Sequence, residues 1–184
     1  MEGRLQKNLE EVVKSLALSR VDLPLSLKLK TAEMILRLMQ QKNNFGLFVI
    51  LGWQKKWQKY LDISDSQQDI FAGHHIDIMH GGNRDVAATV EFDGAILIDK
   101  RGMIVHSGAM IEGLRPSLVA QKLRPGRFAD LSEQFGFTTK VHTRHLSAIA
   151  ASYVFKNTPV FTVSEEDGSF HLFEGGKILF HWKK

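Results

Sequence analysis

Three short runs hold the side chains from which chemistry could be built: Asp93-Gly94-Ala95, Thr143-Arg144-His145 and Ser164-Glu165-Glu166. The first stands at the mouth of an apolar stretch, AILI. A carboxylate there can take a proton from a hydroxyl, and the neighbouring glycine lets a ligand come close to the backbone. A plain turn aspartate is the alternative reading. The second run precedes an alanine-rich segment. A threonine capping a helix at that point, followed by a guanidinium and an imidazole, would offer backbone N–H groups, a hydroxyl and a fixed positive charge to a phosphate, with His145 available to a metal. A simple N-cap with an incidental Arg and His is its alternative. The third run follows the apolar segment PVFTV. Carboxylates at a strand end can hold a divalent ion that bridges phosphates, or can form an ordinary acidic turn before Asp167 and Gly168.

The hydrophobic pattern predicts the elements that must position these groups. Leu5, Leu9, Val12, Val13, Leu16 and Leu18 recur at helical spacing over residues 4–19, and Val21 to Pro24 ends that pattern. A second helix is expected from about Ser26, taken as its N-cap, with Leu27, Leu29, Ala32, Ile35, Leu36 and Met39 on one side. FGLFVIL, bounded by Asn43, Asn44 and Gly52, reads as a buried strand. Residues 66–79 read as a helix stopped by Gly81 and Gly82, and a short helix restarts at Asn83 and runs through Val90. A hairpin is expected from Ala95–Ile98 and Met103–Val105, then a long connection over 112–141 with short helices, then a buried helix over Leu146–Phe155. Pro159–Val163, Ser169–Phe173 and Lys177–Trp182 read as three closing strands separated by EEDG and EGG. This order predicts an α/β (α+β) fold, a mixed central sheet flanked by helices and preceded by a helical hairpin. The expected division is an N-terminal helical segment over 1–42, regulatory or oligomerising, and a catalytic domain over 43–184.

Composition narrows the function classes. The 184 residues include no cysteine, which excludes disulfides, thiolate metal sites and a cysteine nucleophile. The net charge of +4 is unevenly spread: residues 1–60 hold 11 Lys and Arg against 5 Asp and Glu, leaving 13 against 15 for the rest of the 24 and 20. Charges interrupt every short apolar stretch of the opening residues, so no signal-peptide core is expected. The apolar run Phe45–Trp53 is far shorter than the roughly 20 residues that a membrane-spanning helix needs. The expectation is a cytoplasmic protein without a membrane span.

Taken together, DGA opening a strand, TRH opening a helix and an apolar strand ending in SEEDG resemble the diadenylate cyclase domain, the family that joins two ATP molecules into cyclic di-AMP. The likeness covers roughly residues 30–175. It implies that Asp93 activates the ribose 3′-hydroxyl, that Gly94 and Ala95 contact nucleotide, and that Thr143 and Arg144 hold phosphates. It further implies that His145 and Glu165 serve a divalent metal, Mg or Mn, that Ser164 and Glu165 stand near the triphosphate, and that Gly108, Met110 and Ile111 shape the adenine pocket. ATP would be the substrate, and two subunits would face each other as a homodimer or within a larger homo-oligomer. The family usually reads Arg-His-Arg where this chain has Arg144, His145 and Leu146, so one cation is missing. A glycine common before the threonine is His142, a frequent glutamate is Tyr153, and residues 112–140 carry an insertion. A relative that binds ATP or cyclic di-AMP as a sensor is the second reading.

Two other classes are weaker. Trp53, Lys55, Lys56, Trp57, Lys59 and Tyr60 interleave aromatics and cations as a nucleic-acid binder would. His74, His75 and His80 suggest a metal hydrolase, but adjacent histidines on a helix face different ways and no carboxylate triad accompanies them.

Overall fold

The computed structural model describes residues 2–183 apart from Asn43, Ser64, Gly82 and Glu91, and no side chain of residues 2–8 or of Asn83. Gly82 as a helix stop, Asn43 as a strand boundary and the side chain of Leu5 lie outside the described residues.

Helices α1 (Glu2–Ala17) and α2 (Leu25–Gln41) precede the central strand β1 (Leu47–Trp53). A 3-10 helix (Lys55–Tyr60), two short strands β2 (Leu61–Asp62) and β3 (Ile76–Asp77) and helix α3 (Asn83–Ala88) lead to the hairpin of β4 (Ala95–Asp99) and β5 (Met103–Ile111). Helices α4 (Pro116–Leu123), α5 (Leu131–Phe135) and α6 (Thr143–Val154) follow, and β6 (Val160–Val163), β7 (Phe170–Glu174) and β8 (Lys177–Trp182) close the chain. The strands form one eight-stranded sheet in the order β2-β5-β4-β1-β6-β7-β8, with β3 paired to β5. It is mixed: β1 runs parallel to β4, whereas the other pairings are antiparallel.

Alternation along the strands divides the core into two layers, because successive side chains point to opposite faces. Val49 and Leu51 of β1, Ile96 and Ile98 of β4, and Phe161 and Val163 of β6 pack with Val12 and Leu16 of α1 and Ile35 and Leu38 of α2. Phe48 and Ile50, Ala95 and Leu97, and Val160 pack on the other face with Ala148, Ile149 and Ala151 of α6. The N-terminal helices therefore cover one face and α6 the other. Among the described residues no helix is long and apolar enough to cross a membrane.

The expected helix over 66–79 is not there. Turns occupy most of that segment and β3 its end. Its polar groups are bonded to β5 instead: the buried Asp69 accepts from the Ser107 backbone N–H at 3.0 Å and pairs with His106 Nδ1 at 2.8 Å, and Ile70 N–H donates to Ser107 Oγ at 3.1 Å. Side chains that offer the backbone such partners compete with the helical ladder. Two caps also shift. Pro24, not Ser26, is the N-cap of α2, and His142, not Thr143, is the N-cap of α6, leaving Thr143 in the first helical turn.

Candidate functional site

One end of the sheet gathers the three runs. Gly46 stands just before β1, Asp93 and Gly94 just before the parallel β4, Ser164 just after the antiparallel β6, and Thr143 opens α6. Parallel pairing of β1 with β4 and antiparallel pairing of β1 with β6 is what brings two strand starts and one strand end to the same edge.

Two cavities open there. One, about 510 Å³, is bounded by residues 136–145, by Ser164 to Asp167 and by side chains of β7 and β8. The other, about 570 Å³, is lined by Lys42, Gly46, Asp93, Arg144 and Glu165 together with neighbouring apolar groups. Arg144 and Glu165 belong to both. Arg144 Nη1 lies 3.3 Å from Glu165 Oε2, so their ion pair stands where the cavities adjoin. Chemically, the guanidinium and the hydroxyls of Thr143 and Ser164 can donate to an anionic ligand, whereas the carboxylates of Asp93 and Glu165 can accept a proton or hold a cation.

Asp93 is held by its backbone. Its N–H donates to Gln68 Oε1 at 3.1 Å, leaving the carboxylate exposed. Gly94 has φ +89°, and a β-carbon there would come within 2.7 Å of the Gly108 backbone, so the DGA turn lies directly against β5. The remaining expected nucleotide contacts fall elsewhere. Ala95 is fully buried in the core, Met110 is exposed beside β2 and Ile111 packs on the α6-side core, and with Gly94 and Gly108 they line neither cavity.

His145 projects from α6 into the interior. Its Nε2 is buried and has no hydrogen-bond partner among the described residues, and burial drives its pKa down to about 4, with Asp167 opposing and Arg144 adding to the depression. Its ring meets His171 edge-on at 4.8 Å, and His171 stacks on His181 at 4.4 Å. His171 is likewise buried and falls to about 3, first through burial and then through the adjacent His145 and His181, while Asp167 opposes. Burial works to raise the Asp167 carboxyl, but hydrogen bonds from Ser169, Lys183 and Ser164 outweigh it and hold the group below the usual carboxylate range. The cavity thus has the neutral imidazoles of His145 and His171 at its floor under a rim of mixed charge, Lys140 and Arg144 with Glu165, Glu166 and Asp167.

Sequence reasoning did not single out His171 and His181. The available signal was a lone histidine inside the apolar strand FHLF. Lys42 and Gly46 were also missed, and no pattern marks them. The expected insertion over 112–140 supplies one wall: Phe137 is buried against His145 and His171, and Thr138 to Lys140 line the rim. Leu146 is half-buried against the α6-side core, so no cation replaces it from that position.

A metal fits this donor set only in part. His145 supplies a neutral, unpartnered ring nitrogen and Glu165 a carboxylate, yet among the described residues no group of three His, Cys, Asp or Glu side chains could hold an ion. Ligand phosphates and water would have to complete the shell, as is common for magnesium. The rival readings gain nothing from the geometry. Trp53 and Trp57 are buried against Phe155, so of the interleaved aromatics the half-buried Tyr60 alone reaches the surface, and His74, His75 and His80 are exposed.

The chain matches no family model and no curated protein. Its fold is similar to that of a solved structure described as the hypothetical membrane spanning protein from Bacillus cereus, with TM-score 0.51 and 15% identity over 83% of this chain and 62% of that one. At that identity the likeness concerns the fold alone, and this chain spans less than two thirds of that protein's length.

Proposed function

We propose that this chain is a cytoplasmic diadenylate cyclase that condenses two ATP into cyclic di-AMP and two pyrophosphates. The observation that carries the reading is that Asp93, Arg144 and Glu165, far apart in sequence, line one cavity. In each half-reaction a ribose 3′-oxygen attacks the α-phosphorus of the other nucleotide, the bond to the β-phosphate oxygen breaks, and pyrophosphate leaves. Asp93 accepts the hydroxyl proton. Arg144 bears on the phosphates, with Thr143 and Ser164 offering hydroxyl donors. A divalent ion held by His145 and Glu165 with the substrate's own phosphates would neutralise charge on the leaving group.

One chain offers one Asp93 and one Arg144, whereas the reaction needs two aligned nucleotides. The reading therefore includes a face-to-face pair of subunits whose contribution is largely alignment of the reactants. A second reading is a sensor that binds ATP or cyclic di-AMP without turning it over. Leu146 in place of a cation and the engagement of Arg144 by Glu165 favour it. Incubating the protein with ATP and Mg²⁺ or Mn²⁺ and resolving the nucleotides by chromatography separates the two: cyclic di-AMP is expected, and bound but unaltered ATP would replace the cyclase by the sensor.

A further inference from the structure

Among the described residues the cavity beside Asp93 is lined by two cations, of which one belongs to the three runs. Arg144 is already engaged by Glu165 at 3.3 Å. The second cation is Lys42, which ends α2 and lines the same cavity with Asp93, Arg144 and Glu165. Its Nζ donates to the Ala87 carbonyl at 3.1 Å. An ammonium has three hydrogens to donate, so two remain, and among the described residues no carboxylate pairs with it. A half-buried ammonium beside open volume, oriented by one neutral carbonyl and not neutralised by an acid, is suited to a polyanion.

Resting on the nucleotide reading of this site, we propose that Lys42 binds the phosphates of the bound nucleotide and supplies the positive charge that Leu146 does not. Among the described residues the charged side chains of the cavity balance, Lys42 and Arg144 against Asp93 and Glu165. A triphosphate adds several negative charges, and Lys42 is the cation free to meet them. The assignment also draws α2 into the site. The helix whose Ile35, Leu38 and Met39 pack under the sheet ends on a phosphate-binding residue, so occupancy of the cavity and the seating of the N-terminal helices are coupled through a single side chain.

Titration calorimetry with ATP and with adenosine, which lacks phosphates, tests this on the full chain. Lys42→Gln can still donate to the Ala87 carbonyl but has no charge. It should weaken ATP binding roughly ten- to hundredfold, the scale of a lost charge-assisted hydrogen bond, and leave adenosine binding unchanged. Lys42→Arg should stay within about threefold of wild type for both, as the charge is retained. Equal ATP affinity in Lys42→Gln and wild type overturns the assignment while leaving the nucleotide reading standing, and so does an equal loss for ATP and adenosine. If Lys42→Gln does not fold, Lys42→Met takes its place in the same two titrations, with the same expected and overturning results. Wild-type protein that binds no ATP overturns the nucleotide reading and Lys42's role with it.

Discussion

The guanidinium of Arg144 fills the space that a side chain at position 46 would occupy: a β-carbon on Gly46 would collide with it. The contact ties the start of β1 to the start of α6 and fixes which way the arginine points. Because the colliding atoms are the far end of a flexible chain, a larger residue at 46 would turn Arg144 aside without breaking the sheet. Gly46→Ala should therefore leave stability within about 1 kcal/mol of wild type. Nucleotide turnover should fall at least roughly tenfold, the worth of one displaced charge-assisted contact. Thermal melts and initial rates on the same preparation check both halves.

Asp93 is anchored by its N–H to Gln68 and not by its carboxylate, so Asp93→Asn should keep the local structure. Loss of a general base commonly costs about a hundredfold or more. Turnover should fall by that much while ATP titrates with unchanged affinity. Near-wild-type turnover in the variant would remove Asp93 from the reaction.

His145 and His171 give stability a pH dependence whose sign follows from linkage. Both are held neutral by burial, to about 4 and about 3, whereas in the unfolded chain they protonate near 6.5. Below 6.5 the unfolded state binds more protons, so stability falls as pH drops towards 4 and is unaffected by these groups above about 7. Each contributes about 1.4 kcal/mol per pH unit within that window. Denaturant melts in chelator-containing buffer between pH 7 and pH 4.5 should show the decline, and His171→Phe should make it shallower. A flat profile in wild type would mean that the imidazoles are not buried as described.

The N-terminal helices are part of the core. Val12 and Leu16 are buried against α2 and the sheet, and Lys28, buried near the link between the helices, donates to Ser19 Oγ at 3.1 Å and to the Val21 carbonyl at 2.9 Å. Leu16→Ala should cost about 2 to 5 kcal/mol, as for other fully buried leucines. Removing residues 1–24 should expose the apolar face of the sheet and bring on aggregation, read by light scattering. A truncated protein with unchanged melting behaviour would show that α1 packs on nothing essential.

Much of this fold was legible because burial follows period. Apolar alternation or helical spacing decides the strand FGLFVIL, the hairpin arms 95–98 and 103–105, the alanine-rich helix and the closing strands, although the second arm runs on to Ile111, six residues beyond its expected end. The segment after Ser64 was not legible, because its partners are long-range: Asp69 and Gln68 bond to Ser107 of β5, and nothing local announces that. The imidazole floor of the site was hidden for a similar reason. Glu174 pairs with Lys177, a register that carried back would set His171 opposite Phe180, but a bulge between Leu172 and Phe173 shifts the pairing and sets His171 opposite His181. Asp93, Arg144 and Glu165 could be named as chemistry-bearing from type and setting. Their meeting in one cavity depends on the parallel β1–β4 pairing, which no local pattern encodes.

The central claim is tested most directly by the initial rate of cyclic di-AMP formation from ATP, with pyrophosphate measured in the same samples, over a range of protein concentration. The account predicts cyclic product, two pyrophosphates for each, and a rate per subunit that rises with concentration to a plateau as subunits pair. An absence of cyclic product at every concentration with both Mg²⁺ and Mn²⁺ would contradict the cyclase assignment, and a constant rate per subunit down to demonstrably monomeric protein would contradict the shared site.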